Sequence, residues 1–238
     1  MKSFDLIEAL KASKNSVFSI EDIIKITNKN ENYVKILLNR LIKRNLLNRI
    51  EKNKYVLPHQ NPYTIASSII FPSYISFISA YSYYNLTTQM PTTIFIVSLK
   101  QKKELSYNNH TLKFIKFAKT RFFGYKKDYF EGKTIFVAEL EKAILDSLYL
   151  PKYTPIAETF NVIKEAKLEE EKLIDYSKKY NSKVVIKRLG FLLETADKKV
   201  PSTFKKMVNK NYELLSPIKP PTGKKDEKWK MIVNEVLE

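Results

Sequence analysis

The side chains in this 238-residue chain whose types and spacing could do chemistry fall into two groups. The first is a run of amides and cations between residues 30 and 54. Val34, Leu37, Leu38 and Leu41 recur there at i, i+3, i+4 and i+7. That spacing predicts a helix over about 31–44 with those four residues on its core face. Asn32, Tyr33, Lys35, Ile36, Asn39, Arg40 and Lys43 are left on the other faces. Asn pairs with the edge of adenine in the DNA major groove, and Arg or Lys with guanine. The second group is Glu139, Glu141, Lys142 and Asp146. Carboxylates beside a lysine can hold a metal in a nuclease. Here Leu140, Ile144 and Leu148 put them on an amphipathic helix over 139–150, and Glu141 and Asp146, five residues apart, point in different directions. The reading adopted is acids near a helix start plus a salt bridge, with no catalytic and no metal site.

Other chemistries lack their residues. The chain has no Cys, so disulfides and thiolate sites are excluded, and His59 and His110 do not have metal-ligand spacing. Four glycines cannot build a phosphate-cradling loop, so no cofactor is expected. Forty-two Lys and Arg against 25 Asp and Glu give a net charge of +17, which calls for an anionic partner. The excess is evenly distributed. Residues 1–58 carry 12 basic and 6 acidic groups (+6), 59–150 carry 11 and 6 (+5), and 151–238 carry 19 and 13 (+6). The N-terminus has Asp5 and Glu8 and no apolar core, so it does not read as a signal peptide. Tyr55–Leu99 is uncharged, but Pro62, Pro72 and Pro91 interrupt it well short of a membrane span. A cytoplasmic protein without membrane contact is expected.

The elements that must position the first group follow from local signals. Phe4, Leu6, Ile7 and Leu10 predict a helix over 3–12. Val17-Phe18 is a short extended entry, and Ser19 with Asp22 resembles a capping box before a second helix. Asn30 caps the third helix. Apolar runs on either side of Lys52-Asn53-Lys54 predict a hairpin within residues 46–57. Three helices and a hairpin make a winged helix-turn-helix, assigned to residues 1–58. Asn30, Asn32, Tyr33 and Lys35 are then its base-facing candidates. Asn39, Arg40 and Lys43 are placed against phosphates, and Arg49, Lys52, Asn53 and Lys54 form a basic wing.

Pro58–Pro62 reads as a linker to a larger mixed α/β part over 59–238, giving an α+β chain. Within 59–150 the pattern predicts helices over 63–71 and 74–86, strands over 93–99, 111–118 and 134–138, and the 139–150 helix. Residues 151–238 read as mainly helical, with helices near 156–167, 169–180, 182–196 and 201–209. A loop over 216–225 and a strand or short helix over 229–236 close the chain. Lys100–Lys103 and Lys113–Lys127 are either a second phosphate-binding face or solvated loops. The aromatics near Lys126-Lys127 are read as core in preference to base-stacking groups.

Pro72-Ser73-Tyr74-Ile75-Ser76, Ser79-Ala80-Tyr81, Leu86-Thr87-Thr88-Gln89 and Pro91 resemble a segment of AbiEi-type antitoxins. Val137-Ala138 with Glu141-Lys142-Ala143, Leu145 and Asp146, then Arg188–Leu193, then Pro217, Gly223, Trp229 and Val233-Asn234, are similar to later motifs of that family, in the same order. Tyr81, Thr88 and Asn85 depart from it. The resemblance implies a repressor that binds an inverted-repeat duplex operator of its own operon. It also implies an antitoxin of a type IV toxin–antitoxin system, paired in function with a nucleotidyltransferase-like toxin. The alternatives from the residues alone are a stand-alone regulator whose C-terminal part senses a ligand or partner, and a metal-dependent nuclease.

Overall fold

The computed structural model describes residues 3–237 and is a mixed α+β chain. Its contacts group it into two compact units. The first comprises Met1–Ile75, Thr92–Lys116 and Lys127–Val137; the second comprises Ser76–Pro91, Phe117–Lys126 and Ala138–Glu238.

The first unit begins with three helices, α1 (Ser3–Ala12), α2 (Ile20–Thr27) and α3 (Glu31–Lys43). The Asp22 amide donates to Ser19 Oγ at 3.1 Å and the Ser19 amide to the Asp22 carboxylate at 2.8 Å, a reciprocal capping box. Asn28 closes α2 at φ +53, a left-handed position that Asn tolerates. Two residues later Asn30 Oδ1 accepts from the Tyr33 amide at 2.9 Å and starts α3. An antiparallel hairpin, β1 (Asn48–Glu51) and β2 (Lys54–Val56), follows. Phe18 and Tyr55 exchange two backbone hydrogen bonds of 2.9 Å, so the α1–α2 connection adds a third extended segment beside the hairpin. Leu6, Leu10, Phe18, Ile23, Val34, Leu38, Leu41 and Leu47 fill one continuous core beneath these elements.

The chain then enters α4 (Pro62–Ser68) and a six-stranded mixed sheet. The strands are β3 (Ser73–Ile75), β4 (Thr93–Ser98), β5 (Leu105–Tyr107), β6 (His110–Lys116), β7 (Tyr125–Phe130) and β8 (Lys133–Ala138), in the order β5-β6-β4-β3-β8-β7. The expected helix over 74–86 is corrected here. Ser73–Ile75 is a central strand, antiparallel to β4 and parallel to β8, and a helix, α5, spans only Ile78–Tyr83. All three residues of β3 are buried, so no polar–apolar alternation marks the strand in the sequence. β5 and β7 lie outside the expected strands, because short edge strands carrying Ser, Lys and Asp show little apolar pattern.

In the second unit α6 (Leu140–Tyr149) is the central element. Every residue from Glu141 to Leu148 is buried, against α5, α7 (Ile156–Glu165), α8 (Glu170–Tyr180) and α9 (Lys183–Thr195). A further helix, α10 (Ser202–Met207), and a small sheet of β9 (Glu213–Leu214), β10 (Lys224–Asp226) and β11 (Met231–Val233) complete it. The expected loop over 216–225 therefore ends in a strand. Arg188 ties three elements together. Its guanidinium donates to Leu148 O at 2.6 Å and to Leu214 O at 2.9 and 3.2 Å. Gly190 lies directly under the buried indole of Trp229, where an added Cβ would sit 2.2 Å from the ring.

Candidate nucleic-acid interface

The geometry of α3 follows from its apolar spacing. Val34, Leu37, Leu38 and Leu41 are buried, which fixes the helix rotation and turns the opposite face to solvent. At 100° per residue the outermost line is Asn32, Ile36, Asn39 and Lys43. All four are exposed, Ile36 at 53%. Tyr33, 41% exposed, and Arg40 flank the line on one side and Lys35 on the other. An α-helix fits the major groove with such a face inward, and amides, cations and an aliphatic group are what read base edges and thymine methyls there.

The apolar seam already leaves Ile36 off the core face, and its exposure agrees; what the sequence does not assign it is a DNA contact, because it is an aliphatic group among amides and cations. Lys29 is a further cation of this segment. It is exposed in the turn just before the Asn30 cap and makes no ion pair among the described residues.

The candidates differ in how far they are free to meet a ligand. Asn30 is exposed, but its side-chain oxygen is committed to the helix cap. Lys35 pairs with Glu31 at 2.6 Å across one helical turn, both side chains more than half exposed. A pair of this kind is worth little and opens readily. Arg40, Lys43 and Lys52 are exposed and have no ion pair among the described residues. Arg49 is exposed and donates to Glu51 O at 3.3 Å.

Two of the wing residues do structural work. Asn53 takes the left-handed conformation at the hairpin tip, φ +60. Its Oδ1 accepts from the Ile20 amide at 2.8 Å and its Nδ2 donates to Glu21 at 3.1 Å, clasping the start of α2. Lys54 donates to Ile69 O and pairs with Glu51 at 2.6 Å. Burial works against the charge on Glu51, but hydrogen bonds from Lys102 and Lys54 outweigh it and hold the carboxyl below its ordinary value. The hairpin is thus fastened along one edge, and Arg49 and Lys52 remain outward.

The four residues at 139–146 have a different fate. Lys142 and Asp146 form an ion pair one turn apart with no exposed surface on either side chain. The Ser76 hydroxyl donates to Asp146 at 2.8 Å and the Tyr180 hydroxyl at 3.1 Å. The Lys142 ammonium lies 5.0–5.2 Å from the ring centroids of Phe117, Phe123 and Tyr180. Burial pushes the Lys142 amine down and the Asp146 carboxyl up. Glu141 accepts from the Glu169 amide at 2.9 Å, and Glu139 from Tyr176 and Lys172. The expected salt bridge is present, but it is a buried clasp, not a surface pair. Among the described residues no group of three His, Asp or Glu is placed to hold a metal ion. His59 is exposed; His110, half-buried, bonds to Asn108 O at 2.9 Å through Nδ1.

No protein-family model matches the chain, and comparison with curated proteins found no match.

Proposed function

We propose that residues 3–57 form a winged helix-turn-helix that docks on duplex DNA, with α3 in the major groove and the β1–β2 hairpin against the sugar–phosphate backbone. Asn32 and Ile36 read base edges in this reading, and so does Asn39, moved from the phosphate contact expected of it because it shares their outward line. Lys29, Arg40, Lys43, Arg49 and Lys52 meet phosphates. One observation carries it: the outward line of α3 holds amides, a cation and an exposed aliphatic side chain, while the opposite face is sealed in a core. The chain's net charge of +17 supports it.

The wider role is a repressor of its own operon that serves as antitoxin of a type IV pair, with a nucleotidyltransferase-like protein as the functional counterpart. Its support is the ordered set of motifs similar to AbiEi-type antitoxins. Among the described residues no helix is long and apolar enough to cross a membrane.

The test is quantitative DNA binding by the full chain to its own upstream duplex and to random duplex. Asn32→Ala with Asn39→Ala should cost roughly 1–3 kcal/mol per lost base contact on the specific duplex and little on random sequence. Lys43→Ala with Lys52→Ala should weaken both and reduce the salt slope by about 0.9 per lost phosphate contact. Unchanged binding in both variants would refute the helix and hairpin assignment.

A further inference from the structure

We infer that the loop over residues 99–104 carries the DNA-contacting face beyond the hairpin and takes a further stretch of phosphate backbone through Lys100 and Lys103. The inference rests on the duplex-binding reading above and adds a second contact region to it, on a segment 50 residues away in sequence.

The observation behind it is how Glu51 is held. This last residue of β1 is only 22% exposed in its side chain and accepts from Lys54 on β2 and from Lys102 in the loop. Lys102 also lies over the Phe114 ring, 5.7 Å from its centroid. At the start of the loop the Ser98 hydroxyl donates to Lys100 O at 2.7 Å. An otherwise irregular segment is therefore tied to the hairpin at one point, through Lys102, and turned locally at its start by Ser98. One lysine of its Lys-Gln-Lys-Lys run makes that tie. Lys100 and Lys103 are exposed and make no ion pair among the described residues.

The reach suits a nucleic-acid backbone. Consecutive Cα atoms are 3.8 Å apart, so the Lys100 and Lys103 ammonium groups stay within about 20 Å of the Glu51 carboxylate. A DNA strand places one phosphate per 3.4 Å of helix axis. That upper limit corresponds to about six of them, so the two ammonium groups and the hairpin are close enough to share one duplex. Glu51 would repel a phosphate if it were unpaired, but two ammonium groups neutralise it. Glu104, the acid at the loop's far end, faces Lys113 at 4.0 Å. What remains outward is cationic. An ammonium is a point charge without base-reading geometry, so this loop adds affinity and salt dependence, not sequence preference.

The experiment measures the affinity of the full chain for its own upstream duplex, and for a random duplex of equal length, over a range of salt concentrations. Lys100→Ala with Lys103→Ala should lower the salt slope by about 1.8 on both duplexes and leave their affinity ratio unchanged. Arg40→Ala with Lys43→Ala serves as the comparison on α3. A wild-type slope in the loop variant, alongside weakened binding in the α3 variant, overturns the loop inference and leaves the DNA-binding reading standing. Failure of the unmodified chain to bind either duplex overturns both. A changed affinity ratio in the loop variant overturns the claim that the loop is blind to sequence.

Discussion

Replacing Asp146 by alanine removes the carboxylate facing the buried Lys142 ammonium. Neither side chain of the pair has exposed surface, so the ammonium would be left away from bulk water and without an anionic partner. The rings of Phe117, Phe123 and Tyr180 would remain around the ammonium. A desolvated cation–π contact is worth about 2 kcal/mol, less than a charged hydrogen-bonded partner in a dry site. The Ser76 and Tyr180 hydroxyls would lose their acceptor as well. Breaking a buried pair from one side costs roughly 3–5 kcal/mol. At about 2–4 °C per kcal/mol for a chain of this size, the unfolding midpoint should fall by roughly 6–20 °C. Replacing both partners, Lys142→Met with Asp146→Leu, removes the stranded charge and should cost roughly 2 kcal/mol or less. Trp229 is the single tryptophan and lies buried in the same unit, so its fluorescence follows the melt directly. A loss below about 1 kcal/mol in Asp146→Ala would refute the reasoning. So would a double variant as unstable as the single one.

The same fluorophore tests the Gly190 contact. Gly190→Ala places a methyl group 2.2 Å from the Trp229 ring, a rigid side chain that must then move. It should cost about 1–3 kcal/mol and red-shift the emission; an unchanged spectrum and midpoint would contradict that packing. For Glu51, the folded carboxyl titrates below its ordinary 4.5. Its contribution to hairpin docking is therefore fully present above pH 4.5 and is lost as pH falls through the lower, folded value. Amide hydrogen exchange over residues 48–56 should speed up in that acid range in the natural chain, and already at neutral pH in Glu51→Gln. Equal protection in the two chains at neutral pH would contradict the role given to the Lys54–Glu51–Lys102 bridge.

Much of the first 57 residues can be read without coordinates, because each step there is local. The Ser19–Asp22 box, the Asn30 cap and the four-residue seam of α3 use partners within a few positions of each other. Legibility ends where partners are distant. Ser73–Ile75 is a strand because β4 and β8 flank it, and nothing in three buried residues announces that. Lys142 and Asp146 look like surface charges on an amphipathic helix. Ser76 and Tyr180, 70 and 34 residues from Asp146, make them a buried clasp. Asn53 and Lys54 look like part of a basic wing for the same reason: their partners, Ile20 and Ile69, lie 33 and 15 residues away. Ile36 is placed off the core face by that same seam, and only its part in a DNA contact goes unannounced, because an aliphatic side chain carries no polar signal.

The central claim is that the outward line of α3 enters a DNA major groove. The chain contains no cysteine, so Ile36→Cys creates a unique attachment point for a DNA-cleaving iron chelate at the middle of that line. With the conjugate bound to its own upstream duplex, the account predicts strand cleavage confined to a few nucleotides facing one major groove in each binding site. Cleavage spread evenly along the duplex, or none while the protein remains bound, would contradict it.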